Sequence, residues 1–338
     1  MLRRDLAHDR VRHAYLFTGP AGIGKRSLAT EFARALLCSG ANPPCGQCRH
    51  CQLTARGNHA DLLSVEPVTS GRSVRTAKIK IGPVRDLIHD LSLSPVEARR
   101  RVARLLRFDT ANGEAMNAFL KTLEEPPGQA VILLTAERAD DLLPTIVSRC
   151  QVLALRPLPF EAVRTALITR WLVPAEQADL LAHLAQGRLG WAVRMHADEA
   201  ALAARRQRLD DLSTLLGASR VARFAYAEKL AKESASDHIQ ETLDLWLGFW
   251  RDVLLARAAG AHRSNRVTLA AGDAAPPANP DRAADITRLA QAVTPSTAAN
   301  VIVGLRRTGA LLEQNVNARL ALEVCLLDWP RLPGLGHD

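Results

Sequence analysis

The run Gly19-Pro20-Ala21-Gly22-Ile23-Gly24-Lys25-Arg26-Ser27 narrows the choice of folds more than any other stretch of this chain. An apolar run, Ala14-Tyr15-Leu16-Phe17, precedes it and a helix-like segment, residues 25–37, follows. Strand, glycine loop and helix in that order present backbone N–H groups and a helix N-terminus to phosphate, as in the P-loop of an α/β domain. Gly19, Gly24 and Lys25 stand at P-loop spacing, with Gly22 as a further loop glycine. The next position should be Ser or Thr, whose hydroxyl holds Mg²⁺. Here it is Arg26. Ser27 is no substitute, because one residue along a helix turns the side chain by about 100°. Gly19, Gly22, Gly24 and Lys25 thus form a degenerate nucleotide loop.

Past this loop the cysteines carry the strongest signal. Cys38, Cys45, Cys48 and Cys51 fall within fourteen residues, beside the turn formers Pro43, Pro44 and Gly46. Two-residue spacers let neighbouring thiols turn toward one ion, and four thiolates suit tetrahedral Zn²⁺. An iron–sulfur cluster and unligated thiols are the competing readings. His50 can replace a ligand; His59 reads as a loop or capping histidine. The N-terminus lacks the apolar core of a signal peptide, and no stretch approaches a membrane span. The expected location is the cytoplasm, where thiols stay reduced.

The 338 residues suggest two or three domains. A net charge of +9 suits an acidic partner such as nucleic acid, and equally a solvated basic surface. Residues 102–109, Val-Ala-Arg-Leu-Leu-Arg-Phe-Asp, read as a strand ending in an acid. Asp109 is then the candidate Mg²⁺ carboxylate, but Thr110 stands where a general base should follow. Asn117 to Glu125 reads as a helix stopped by Pro126-Pro127. Ala130 to Thr135 reads as a strand buried on both faces, and residues 151–155 as the last strand. Pro157-Leu158-Pro159 marks a boundary. Beyond it the pattern is helical: short helices over 160–213, an apolar face through Leu243, Trp246, Leu247 and Trp250, and a loose loop over 258–281. Helices around 283–292 and 296–328 complete the chain. The tryptophans read as packing residues.

These segments together resemble the clamp-loader branch of the AAA+ family, as found with bacterial DNA polymerase III. The resemblance covers nearly the whole chain. It rests on His13 to Phe17 leading into the glycine loop, the four cysteines, Leu120-Lys121-Thr122-Leu123-Glu124-Glu125-Pro126, Ser148-Arg149-Cys150 and Asn315 to Glu323. It implies a RecA-like α/β AAA+ domain with a zinc module over 1–156, a helical lid over 157–214 and an all-α collar over 215–338. It also implies a hetero-oligomeric ring with gamma/tau and delta subunits, acting on a sliding clamp and primer-template DNA. In such rings the arginine of Ser-Arg-Cys reaches the neighbouring subunit's ATP, and Arg149 matches it. The N-terminus starts closer to the first strand than the family leads one to expect.

Hydrolysing members carry a lid arginine where Gly190 stands here. With Arg26 and Thr110, that makes three altered ATPase positions. The expectation is a non-hydrolysing subunit of DNA polymerase III, itself a DNA-directed DNA polymerase and nucleotidyltransferase, with Arg149 its working residue. The alternative is an active gamma/tau-like ATPase. A free-standing zinc protein that binds nucleic acid finds support only in the arginine runs 99–101 and 204–208.

Overall fold

The computed structural model describes residues 1–67, 78–233, 236–264, 277–314 and 316–332. Part of the loop expected over 258–281, and Asn315, lie outside the described residues. The chain divides into two compact units, Met1–Pro157 and Leu158–Asp338.

The first unit is built on five strands: β1 (Ala14–Thr18), β2 (Leu62–Val65), β3 (Arg101–Leu105), β4 (Ala130–Ala136) and β5 (Gln151–Ala154). Their order is β2-β3-β4-β1-β5 and every pairing is parallel. Leu16, in the middle strand of its trio, sits opposite Leu134 on one side and Val152 on the other. The continuous apolar runs resolve into two faces, as the strand period of two requires. Tyr15, Phe17, Val102, Val131 and Leu133 pack against Phe32, Ala33 and Leu36 of the helix Lys25–Leu37. Leu16, Ala103, Leu105, Ile132 and Leu134 pack on the other face, against Leu87 and Leu91 of the helix Ile81–Ser92 and Phe119 and Leu123 of the helix Gly113–Glu124. Helices on both faces leave the C-terminal edge of the sheet open, and the glycine loop lies there, directly after β1.

Asp61, just before β2, is a structural anchor of this unit. It is fully buried, and its two carboxylate oxygens accept backbone N–H groups of Val96 (2.7 Å), Glu97 (2.9 Å) and Ala98 (2.8 Å). Arg101, also buried, lies 3.7 Å away and donates to the carbonyls of Asp90 and Ser94. Burial alone would raise the Asp61 pKa, but the three N–H donors and Arg101 hold it below the usual carboxylate range.

The second unit is helical. Helices Phe160–Trp171, Ala175–Ala185 and Leu189–Ala197 enclose one core, around Val163, Leu167, Leu181 and Ala192. A larger core gathers Leu212, Leu243, Trp246, Trp250, Leu289, Leu305, Leu322 and Trp329 from the helices Glu199–Gly217 through Ala318–Leu327. The indole N–H of Trp246 donates to the Arg208 carbonyl (2.8 Å), and Trp246 meets Trp329 edge to face at 5.1 Å. Buried Arg223 donates to carbonyls of Leu215, Leu326, Trp329 and Pro330, tying the chain's last described turn to this core. Two expectations change. The helix that starts at Ser236 runs on to Ser264, past the loop start expected at 258, because its Ala/Arg-rich stretch favours helix. The helix expected over 296–328 is two, Pro295–Glu313 and Ala318–Leu327, because the Asn317 side chain accepts the Leu320 N–H and caps a new start.

Asp61→Asn should place an amide NH₂ against backbone donors and cost about 2 kcal/mol at neutral pH. A carboxyl held low when folded stabilises above its unfolded value near 3.9 and loses that contribution as pH falls through the folded value. In denaturant titrations the gap between wild type and Asp61→Asn should therefore be full at pH 7 and shrink below about pH 4. A gap that stays constant into acid would contradict the anchor role of this carboxylate.

Candidate functional site

The glycine loop is shaped by close approach. Gly19 has φ +141°, and a Cβ there would lie 2.7 Å from the carbonyl oxygen of Leu155, just after β5. Gly24, at φ +107°, turns the chain into the helix Lys25–Leu37. Lys25 is buried beneath the loop, and its Nζ donates to the carbonyls of Gly19 (2.5 Å) and Pro20 (3.1 Å). Burial lowers its pKa, and the carboxylates of Glu137 and Asp109 oppose that shift. Arg26 points away into solvent and pairs with Glu66 at 2.8 Å, its side chain 66% exposed. A guanidinium cannot supply the oxygen ligand that Mg²⁺ takes at this position.

Strand β3 ends at Leu105, earlier than the sequence suggested, so Asp109 does not terminate a strand. It lies in the 3-10 turn Phe108–Thr110, where the chain has been redirected by Arg107 at φ 54°. The Arg107 N–H donates to Thr135 Oγ1 (2.8 Å), docking this turn on the end of β4. Asp109 accepts the Glu137 N–H (3.3 Å), and burial raises its pKa. The Thr110 hydroxyl is used locally, on the Arg107 carbonyl at 2.7 Å. Leu106 and Arg107, the residues directly after β3, bring no carboxylate to the strand end. In the second unit Gly190 lies in the helix Leu189–Ala197. Its neighbour Arg188 is committed locally: Nε donates to the Ala185 carbonyl (2.9 Å), and the guanidinium lies over Trp191 at 5.6 Å.

Cys38, Cys45, Cys48 and Cys51 come together, with all four Sγ atoms within 4.8 Å of one another. Cys45 and Cys51 Sγ are 4.0 Å apart, and Cys38 and Cys48 Sγ 3.9 Å. Ligands about 2.3 Å from a tetrahedral Zn²⁺ would lie about 3.8 Å from each other, so the thiols already have near-ligand spacing. Backbone N–H groups of Gly40, Cys48 and Cys51 point at Cys38, Cys45 and Cys48 Sγ at 3.3–3.4 Å. The N–H groups of Cys48 and Gln47 lower the Cys45 pKa, whereas burial pushes the Cys51 thiol up to about 12. A cation among them would offset that burial. This set can hold one metal ion.

His50, His59 and Glu97 also cluster, but their protonation pattern argues against a second metal. The His59 Nδ1 accepts the Asp61 N–H at 3.0 Å and so carries no proton. Neutral His59 must then carry its proton on Nε2, which faces His50 Nδ1 at 2.8 Å. That Nε2 has no lone pair for a metal. The pair is a hydrogen-bonded link between the thiol module and β2.

Arg149 follows the short helix Pro144–Val147, against the C-terminal end of Gly113–Glu124. One Nη donates to the Thr145 carbonyl (3.0 Å) and Ser148 Oγ (3.3 Å), the other to Glu124 Oε1 (2.6 Å). Cys150 beside it is half-buried, and desolvation pushes its thiol up to about 12. The sequence motifs single out Arg149 and give Glu124 no role; only the folded chain brings the two together. The arginine runs are largely consumed inside the fold. Arg100 pairs with Asp9, Arg101 is buried beside Asp61, Arg205 is buried on Asp281 and Asn279, and Arg208 meets Glu241.

A family model described as "DNA polymerase III, delta subunit" matches residues 1–159. The DNA polymerase III subunit delta′ of Pseudomonas aeruginosa is 32% identical over 334 residues, 96% of this chain and 93% of the relative. The chain belongs to the DNA polymerase III subunit delta′ family. The delta′ subunit of Bacillus subtilis is 35% identical over 185 residues, 54% of each chain. The subunit tau/gamma of Haemophilus influenzae is 31% identical over 223 residues, 64% of this chain but 31% of the relative. Near-complete coverage of a delta′ relative sets this chain with the delta′ family and apart from the much longer tau/gamma protein. Among the described residues no helix is long and apolar enough to cross a membrane.

Proposed function

We propose that this delta′ family member is the non-hydrolysing stator of a clamp loader, which supplies Arg149 to the ATP site of a neighbouring subunit. The observation that carries the non-hydrolysing half is Arg26: at the Mg²⁺ ligand position stands a cation turned outward onto Glu66. The missing strand-end carboxylate after β3 and the local commitment of Arg188 agree with it. The Arg149 guanidinium, fixed at the end of two helices, has the form of a trans-acting finger, which stabilises negative charge on a transferring phosphoryl group. The lid is assigned to residues 157–214 and the collar to 215–338; the two cores of the second unit support a division, although the larger core also takes Leu209 and Leu212 from the end of the lid range. On the helix Ala318–Leu327, Leu320, Val324 and Leu327 form an exposed apolar stripe (58%, 58% and 41%). This is the kind of face that packs against collar helices of gamma/tau or delta subunits. Loading a sliding clamp on primer-template DNA in the cytoplasm, at the replisome, is the work of the assembled ring. Cys38, Cys45, Cys48 and Cys51 are assigned to one structural Zn²⁺, which would cross-link the turns around Pro43 and Pro44 to the helix Arg49–Ala55.

The isolated chain should turn over no Mg²⁺-ATP above background; turnover that disappears in Lys25→Ala would overturn the stator reading. In the reconstituted ring, Arg149→Ala should leave assembly intact and lower ATP turnover by roughly 10³-fold per dependent site. Unchanged turnover would end the finger assignment. Protein purified under reducing conditions should hold about one zinc per chain, and Cys51→Ser should hold far less and unfold more readily. Metal-free wild-type protein of unchanged stability would refute the zinc assignment.

A further inference from the structure

We infer that Glu124 is a positioning residue for the Arg149 finger, an inference that rests on the finger reading above. Arg149 sits on a helix of only four residues and the turn after it, too short a support to fix a long flexible side chain. The guanidinium is instead fixed by three acceptors of its own chain. Thr145 O and Ser148 Oγ take one Nη, and Glu124 Oε1 takes the other at 2.6 Å, a charge-assisted contact. Glu124 is the only one of the three from another element, the last residue of Gly113–Glu124. That helix is anchored by Phe119 and Leu123 in the sheet core, so Glu124 ties the guanidinium to the rigid α/β body. The Nε–H and the second Nη2–H have no partner among the described residues and remain for an incoming anion. Arg149 keeps about a third of its side chain exposed and Glu124 about half, so the pair contributes little to folding and is open to an approaching neighbour.

Glu124 therefore acts on the neighbour's reaction without touching the nucleotide. It limits the orientations open to Arg149, so that the fork faces the transferring phosphoryl group when the subunits meet. A carboxylate is suited to this: it holds the guanidinium by charge and hydrogen bond. Glutamine retains the oxygen and loses the charge.

The test is steady-state ATP turnover of the reconstituted ring carrying Glu124→Ala, Glu124→Gln, Arg149→Ala or the double variant Glu124→Ala/Arg149→Ala, with assembly and thermal unfolding checked for each. Glu124→Ala should lower kcat roughly tenfold with KM for ATP unchanged, because orientation in the transition state is lost and ground-state binding is not. Glu124→Gln should recover part of that loss, and the double variant should be no slower than Arg149→Ala alone. If Arg149→Ala slows the ring while Glu124→Ala and Glu124→Gln run at the wild-type rate, the positioning role is wrong and the finger stands. The positioning role fails equally if the two losses multiply in the double variant. If Arg149→Ala itself leaves kcat unchanged, the finger reading fails first.

Discussion

Lys25 is a charged group buried under its own loop, and the geometry around it depends on how that charge is satisfied. An ammonium removed from water needs oxygen partners, and here the carbonyls of Gly19 and Pro20 supply them, with Asp109 and Glu137 nearby as counter-charges. The loop can curl over the ammonium only because Gly19 approaches the Leu155 carbonyl more closely than any side chain permits. Asp109 reaches the same place only because Arg107 adopts a left-handed conformation and hooks its N–H on Thr135. The glycine loop is thus a folded object whose lysine is satisfied by the loop's own carbonyls. Position 26 and the two residues directly after β3 offer no carboxylate or hydroxyl to a metal. Arg26 and Arg107 stand where ligands for Mg²⁺ or an activating carboxylate would be sought.

The β/α scaffold and the proposed arginine finger place different demands on the same sequence. Hydrolysis needs several groups aligned at one phosphate, and Arg26 in place of a Mg²⁺ ligand, with a strand end that carries no acid, works against that alignment. Presenting a finger needs only that the Arg149 segment be held rigidly against the sheet. Ile146 and Leu142 in the core, the proline-started helix Pro144–Val147 and Glu124 across the interface meet that demand without a nucleotide in this subunit. The proposed stator reading is compatible with the intact fold, because the core residues that support Arg149 are not the residues that would bind Mg²⁺.

Much of this was legible in the sequence, for identifiable reasons. The glycine loop, the thiol spacing and the Ser-Arg-Cys segment are local patterns whose chemistry is set within a few residues. The continuous apolar runs placed strands of the sheet. What escaped was long-range pairing of polar groups. Nothing in the local sequence marks Asp61, yet it accepts three N–H groups from residues 96–98. The run Arg99-Arg100-Arg101 looked like a basic patch, yet Arg101 is buried in that same network and Arg100 reaches Asp9. Charge counting treats each arginine as solvated, and only the fold reveals which are spent on partners. The break before Asn317 was missed because the apolar residues continue across it, while the Asn317 side chain caps the start of a second helix.

Arg149 also explains why motif matching and geometry are both needed. The motif names the residue but says nothing of how a long, exposed side chain finds one orientation. Ordering such a side chain costs on the order of 1.5–2 kcal/mol, comparable to what one charge-assisted hydrogen bond returns. With Glu124 and two local acceptors in place, the guanidinium is already ordered, and in the proposed finger role the encounter with a neighbour need not supply that ordering. Lysine at 149 would lack the forked donors needed to hold its own chain and an anion at once. The placement of Glu124 at a helix end rooted in the sheet core is thus the physical counterpart of the arginine's choice.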